Sequence, residues 1–339
     1  VTTARKSKAS SIRQLGLAAA TVVFTTLGVG CSVEAQQDSP ESSQVRTVVH
    51  DLGTTEVPVD PQRIVATDET AAMALLAVGV VPDVVFTGFG SPIGDALLED
   101  AGAQVIDVPP IGAPPVEDVL GAGPDLVVGS NYGDDTLYRA ISGTVATVPM
   151  PYLAPWEDSL AFVAEMFDRQ DEADRLRAML ESEIESLRST VAANPMSLSV
   201  VMYASDILAV ATASAPSSLI ARSVGLDAPQ LQRAESAEAA SGPWTALSPE
   251  LITEQNADIV AVLDEGVYSA DRVRATGGFA ETAGDSALNV NGDMWTAEHP
   301  FATYWLVKDL EAIAAGDVGA IGTEATALTR FDEFVRQTQ

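Results

Sequence analysis

The sequence predicts an α/β protein of two lobes, each with a mostly parallel sheet flanked by helices, joined by one long α-helix. Three observations predict it. Short β-branched runs alternate with helical stretches from residue 45 onward, the signature of βα units. The alternation breaks once, over residues 156–193, where strong helix formers run with neither proline nor glycine. It then resumes, and a segment opening at Glu117 is echoed by one opening at Glu250.

In chain order, 45–50 reads as a strand and 54–58 as a turn into its partner. Residues 63–67 (RIVAT) form a buried strand, and 69–78 have apolar residues at helical spacing that stop at Gly79. Further strands are expected at 84–86, 105–108, 126–129 and 147–149, with helices near 92–100, 115–122 and 134–142. The helical block follows, interrupted near 168–170 and ended by Pro195. Strands at 198–204, 207–212 and 258–263 and helices near 217–224 and 249–255 make the second lobe, and helices near 300–314 and 323–337 close the chain. The expected organisation is 1–30 a signal peptide, 31–46 a flexible tether, 47–155 the N-terminal lobe, 156–194 the helical linker and 195–339 the C-terminal lobe.

The export signal is a basic start (Arg5, Lys6, Lys8, Arg13) before a short apolar run ending at Cys31, the only cysteine. That run is too short for a comfortable membrane span. Leu27-Gly28-Val29-Gly30-Cys31 resembles a bacterial lipobox, which makes Cys31 the lipid acceptor and places the protein on the outer face of the cytoplasmic membrane. The alternative is plain cleavage after Ala35, with Cys31 discarded. Residues 32–44 are polar and short-chained, as a tether should be.

The chain carries 18 Lys and Arg against 48 Asp and Glu. With the four N-terminal cations removed, 14 face 48, a net charge near −34. Such a charge repels phosphate backbones and excludes nucleic acid as a partner. Lys308 is the only lysine after the signal, so lysine-dependent chemistry has one candidate. The two histidines, His50 and His299, have no HxxxH or HExxH spacing, and no G-x-S-x-G elbow or phosphate loop occurs. No metal site and no catalytic residues are expected, and an enzyme is the weaker reading.

The repeat aligns V-E117-D-V-L-G-A-G-P-D125-L-V-V-G with P-E250-L-I-T-E-Q-N-A-D258-I-V-A-V. In both, a glutamate opens a helix and an aspartate eight residues later opens a buried strand. These segments, together with H50-D-L-G-T-T-E-V-P58 and P61-Q-R63-I-V-A-T-D68-E-T-A-A-M-A-L-L-A-V-G79, are similar to iron-siderophore substrate-binding proteins of ABC importers. The likeness runs from about residue 47 to 315. It implies a two-lobed fold on a rigid helix, a monomer without cofactor that holds a ferric siderophore between its lobes and delivers it to a permease. Haem or cobalamin is the alternative cargo on such a fold. Glu117 and Glu250 would then be the exposed glutamates that engage permease arginines; otherwise they complement helix dipoles.

Ligands in open α/β sheets sit beyond the carboxyl ends of strands. Phe89, Tyr132, Tyr152, Trp156 and Tyr203 follow or close expected strands, while Trp244 and Trp295 lie in Gly-rich, loop-like stretches. These seven aromatics are the candidate walls for a large, partly apolar ligand. Asp68 and Glu69 line the cleft or cap the following helix. Haem would call on Tyr203 or His299. A strongly anionic triscatecholate would call for several cleft arginines. With thirteen arginines after the signal, few near strand ends, a neutral hydroxamate-type or mixed chelate is favoured. An exported enzyme would instead need a proton-transfer pair in the cleft, and a structural lipoprotein would close the inter-lobe surface.

Overall fold

The computed structural model describes residues 44–88, 91–108, 113–130, 135–151, 154–233 and 242–338. The expected signal peptide, Cys31 and the expected tether up to residue 43 lie outside them. A hairpin of β1 (Val45–His50) and β2 (Gly53–Pro58) opens the folded body. The first lobe follows as β3 (Ile64–Ala66), α1 (Glu69–Ala77), β4 (Val84–Thr87), α2 (Pro92–Asp100), β5 (Gln104–Asp107), α3 (Val116–Gly121), β6 (Leu126–Ser130), α4 (Thr136–Ile141) and β7 (Ala146–Met150). Its sheet is entirely parallel, in the order β5-β4-β3-β6-β7. Every residue of β3 and β4 is buried, as a sheet covered on both faces requires. Asp68 caps α1 by accepting from the Ala71 amide at 2.9 Å, and Gly79 ends it at φ +76°. Ser91 caps α2 through the Gly94 amide at 2.8 Å, with Pro92 in the first turn.

The expected single linker helix is two, α5 (Trp156–Phe167) and α6 (Gln170–Ala193). Asp168 adopts a left-handed conformation, φ 54° and ψ 44°, which ends α5 and turns the chain into α6. Arg46 of β1 pins this corner, pairing with Asp168 and donating to the Glu165 carbonyl at 3.1 Å.

The second lobe holds β8 (Leu198–Ala204), β9 (Ile207–Ala211), α7 (Pro216–Ser223), α8 (Gln230–Arg233), β10 (Trp244–Ala246), a 3₁₀ turn at Pro249–Gln255, β11 (Ile259–Asp264), α9 (Ala270–Arg274), α10 (Phe279–Ala283), β12 (Ala287–Asn291) and α11 (Gly292–Thr296). Its order is β10-β9-β8-β11-β12. This sheet is mixed: β9 alone runs against the rest, pairing antiparallel with β8 and β10, while β8, β11 and β12 pair in parallel. The cause is local. Ser205 and Asp206 both take positive φ, 50° and 61°, which closes a two-residue hairpin and sends β9 straight back along β8.

The repeat has a mechanical meaning. Asp125 accepts from the amides of Gln62 at 2.6 Å and Arg63 at 2.9 Å, just before β3. Asp258 accepts from the Ser197 amide and hydroxyl, both at 2.8 Å, just before β8. Each aspartate therefore clamps the entry to the central strand of its sheet and sets the register of the neighbouring parallel strand.

The last helices, α12 (Pro300–Ala314) and α13 (Ala327–Thr338), pack on α6, and α13 also reaches α2 of the first lobe. Lys308 joins α12 to α6 by binding Glu183 at 2.9 Å, and also binds Glu311 at 2.8 Å. Beneath it lies Asp309, fully buried. Its carboxylate accepts from the Trp295 indole at 2.8 Å, the Gly322 amide at 2.7 Å and Arg330 at 2.6 Å. Arg330 in turn lies over the Trp305 ring, 4.4 Å from its centroid.

Candidate functional site

The chain enters the first sheet at β3 and adds β4 and β5 on one side, then crosses to add β6 and β7 on the other. Between β3 and β6 the helices leave in opposite directions, and a crevice opens beyond the strand ends. Asp68, the first residue after Thr67, spans that gap. One oxygen caps α1, and the carboxylate also accepts from the Ser130 amide at 2.5 Å and hydroxyl at 3.1 Å. A side chain at Gly129 would collide with Thr67, so this crossing needs glycine.

A cavity of about 620 Å³ sits at this point, walled by both lobes. The first lobe contributes Thr67, Asp68, Glu69, Ser91, Gly129, Ser130 and, from α4 and β7, Leu137, Tyr138 and Val148. His50 backs the Tyr138 ring edge-on at 5.4 Å. The second lobe contributes Trp244, Val267, Tyr268, Asp293, Thr296 and His299. The Tyr268 hydroxyl lies 3.1 Å from Thr296 Oγ1, and its ring packs over Gly292, where a Cβ would strike it. Among the described residues, no lysine or arginine lines the cavity.

Carboxyl groups here are displaced from their ordinary range, and burial pushes Asp68 up against the bonds it accepts from Ala71 and Ser130. Burial pushes Glu69 up to about 8, against the pull of its bonds from the Ser91 amide at 2.5 Å and hydroxyl at 2.9 Å. Burial, with Glu265 and Asp95 nearby, pushes Asp293 up to about 7. Asp95, behind the wall, rises to about 6 from burial and the neighbouring Asp107. His299 moves the other way: burial lowers it to about 3. Its Nδ1 accepts from the Ala302 amide at 3.1 Å, capping α12.

These shifts predict a pH dependence of stability. The folded state holds protons on Glu69 and Asp293 that the unfolded chain releases near 4.5 and 3.8. Their stabilisation is complete below those values and is lost as pH rises through about 7 and 8. His299 works oppositely, its contribution being present above 6.5 and lost as pH falls towards 3. Above pH 6.5 the His299 contribution is complete and the raised carboxyls govern the slope, so the melting temperature of the unliganded protein should fall between about pH 6.5 and 8.5. Glu69→Gln with Asp293→Asn should flatten that slope; a parent protein with no slope would refute the assignment.

Of the seven candidate aromatics, the four described ones scatter. Trp244, half-buried on β10 opposite Ala211, lines the cavity. Trp295 is fully buried in the core, donating to Asp309, and Trp156 is buried at the start of α5. Tyr203 accepts from Arg272 at 2.6 Å beneath its guanidinium and packs on the far hydrophobic cluster of the second sheet. None of these three is among the cavity-lining residues. Phe89, Tyr132 and Tyr152 lie outside the described residues. Glu117 and Glu250 are exposed, each in the first turn of its element, α3 and the 3₁₀ turn at Pro249–Gln255. Asp68 does both things expected of it, capping and lining.

Sequence reasoning missed Tyr138, Tyr268 and Asp293. Tyr268 follows β11 and obeys the same strand-end rule that picked out the others. Asp293 follows β12, a strand whose polar alternation hid it; Tyr138 sits on a helix, where that rule does not look. Among the described residues no group of three or more His, Cys, Asp or Glu is placed to hold a metal ion, and no helix is long and apolar enough to cross a membrane.

The family model described as periplasmic binding protein matches residues 64–283, from the first strand of the parallel sheet to the end of α10. The chain belongs to this family. This binding protein is 29% identical over 161 residues to a Bacillus subtilis (strain 168) protein named probable siderophore-binding lipoprotein YfiY, a match covering 47% of this chain and 49% of that one. The chain thus spans about half the length of the curated relative it matches. Among solved structures it is similar to Staphylococcus aureus SirA complexed with staphyloferrin B, with TM-score 0.65 and 20% identity over 80% of this chain and 98% of that one. The petrobactin-binding protein YclQ from Bacillus subtilis superposes with TM-score 0.66 and 18% identity, over 80% of this chain and 99% of that one. At these identities the likeness is one of fold: two α/β lobes bridged by helices.

Proposed function

We propose that this binding protein captures a ferric siderophore in the cavity between its lobes and delivers it to an ABC importer, tethered outside the membrane through a lipid on Cys31. The observation that carries the reading is the cavity itself. It lies at the topological switch point of the first sheet, is walled by Trp244, Tyr138 and Tyr268, and at about 620 Å³ suits a ligand of several hundred daltons. The family membership and the name of the Bacillus subtilis relative support the cargo class. The protein does no covalent chemistry on this reading; the iron arrives already chelated. Haem is disfavoured because, of its two expected ligands, Tyr203 is not among the cavity-lining residues and His299 presents the wrong tautomer. With Nδ1 accepting from Ala302, the ring proton sits on Nε2, which leaves no lone pair there for iron.

Docking on the permease is assigned to Glu117 and Glu250, one exposed carboxylate on each lobe at matching places in the repeat. Titration with a panel of ferric siderophores, cobalamin and haem, read by tryptophan fluorescence, tests the cargo. Trp244→Ala should weaken binding of the confirmed ligand by about 1–2 kcal/mol, the usual worth of an aromatic contact anchor. Unchanged affinity would remove Trp244 from the site, and quenching by cobalamin alone would replace the cargo.

A further inference from the structure

The cavity wall is one-sided in charge. Asp68 and Glu69 come from the first lobe and Asp293 from the second, and among the described residues no lysine or arginine lines the cavity. The sequence between consecutive lining residues, at 89–90, 109–112 and 131–136, adds none. The nearby arginines are engaged elsewhere: Arg139 with Asp135, Arg272 with Tyr203 and Arg274 with Asn289. Glycines make room for the carboxyl groups. A Cβ at Gly94 would run into the Glu69 carboxylate, and one at Gly266 would lie 2.6 Å from both carboxylate oxygens of Asp293.

A second, independent feature points to a ligand. His299 lines the cavity and is only 1% exposed, yet its Nε2 has no hydrogen-bond partner among the described residues. Its Nδ1 is committed as an acceptor, so Nε2 carries the proton and is a donor awaiting an acceptor oxygen. A buried donor left unmade is costly, and such groups in folded proteins call for a partner.

We propose, building on the siderophore reading above, that the chelate carries a net positive charge: a ferric trihydroxamate bearing a protonated primary amine. The ammonium seats between Glu69 and Asp293, and the His299 Nε2–H donates to a chelate oxygen. Three hydroxamates balance the ferric charge, so the ammonium leaves the complex at +1. The unliganded site behaves as such a ligand requires. Besides their burial, Glu69 feels Asp95 and Asp293, and Asp293 feels Glu265 and Asp95, so neighbouring like charge disfavours ionisation of both. A cation between them relieves that repulsion; a neutral chelate does not, and an anionic one adds to it.

Three versions of one ferric trihydroxamate test this on the full chain: the free amine at +1, its N-acetyl form at 0 and its N-succinyl form at −1. At low salt the amine form should bind at least about tenfold more tightly than the acetyl form, and the succinyl form more weakly than either. Glu69→Gln with Asp293→Asn should abolish the preference, so that the amine and acetyl forms bind alike. His299→Leu should weaken all three alike. Equal affinity for the three forms, or preference for the succinyl form, overturns the charge assignment while leaving the siderophore reading intact. Binding of a triscatecholate with none of the three does the same. If no ferric chelate binds and cobalamin or haem does, the siderophore reading itself falls.

Discussion

Replacing Asp309 with alanine should cost about 3–5 kcal/mol of stability, the range for breaking a buried ion pair from one side. That is a large fraction of the total for an ordinary domain. The side chain is fully buried, and three donors converge on it: the Trp295 indole, the Gly322 amide and Arg330. Burial pushes the Asp309 carboxyl up and Arg330 holds it down, so the ion pair survives only as a complete set. Removing the carboxylate strands a guanidinium with an 11% exposed side chain, plus two neutral donors. Asp309→Asn keeps an acceptor but loses the charge and should fall between parent and alanine. Urea melts followed by far-UV circular dichroism measure the difference. A loss below about 1 kcal/mol would mean that the core relaxes around the vacancy, against the close packing expected of such interiors. Ligand affinity per folded molecule should not change, because neither Asp309 nor Trp295 reaches the cavity.

Glu117→Ala combined with Glu250→Ala should abolish iron uptake in cells while leaving ligand affinity intact. Each carboxylate, if paired with a permease arginine and buried on docking, is worth about 2–5 kcal/mol on truncation, and less at an interface rim. Two such losses together lower complex stability by several orders of magnitude. The competing role is local. Both glutamates stand in the first turn of a helix or 3₁₀ turn, where an acid contributes only about 0.3–1 kcal/mol. That role predicts a slightly lower melting temperature with normal uptake. Charge reversal to lysine separates the two further, since like charges would then face each other. Normal uptake by the double variant would leave the repeat with its structural part alone, the clamps made by Asp125 and Asp258.

The fold class was legible because its signals are local. Runs such as Ile64–Ala66 and Leu126–Ser130 are apolar enough to be buried strands wherever they lie, and the helix starts at Asp68 and Ser91 are capped by side chains three residues from their targets. The repeat was legible too, since Asp125 and Asp258 perform the same clamp in both lobes. The antiparallel turn at Ser205–Asp206 was not, because nothing in those two side chains demands positive φ. Nor was β12, whose Ala-Leu-Asn-Val-Asn pattern is short and half polar.

The site divides in the same way. From sequence alone, Trp244 and Trp295 were alike, each in a glycine-containing stretch. Tertiary structure separates them: Trp295 finds Asp309 fourteen residues on and stays inside, while Trp244 pairs across β9 and meets the cavity. Sequence determined the alternation of elements, the acidic balance and the scarcity of cations. Only the folded chain brings Glu69 near Asp293, which lies in the other lobe. Their raised proton affinities come first from burial and then from neighbouring carboxylates, Asp95 among them for both, and these depend on distances through space that no spacing along the chain records.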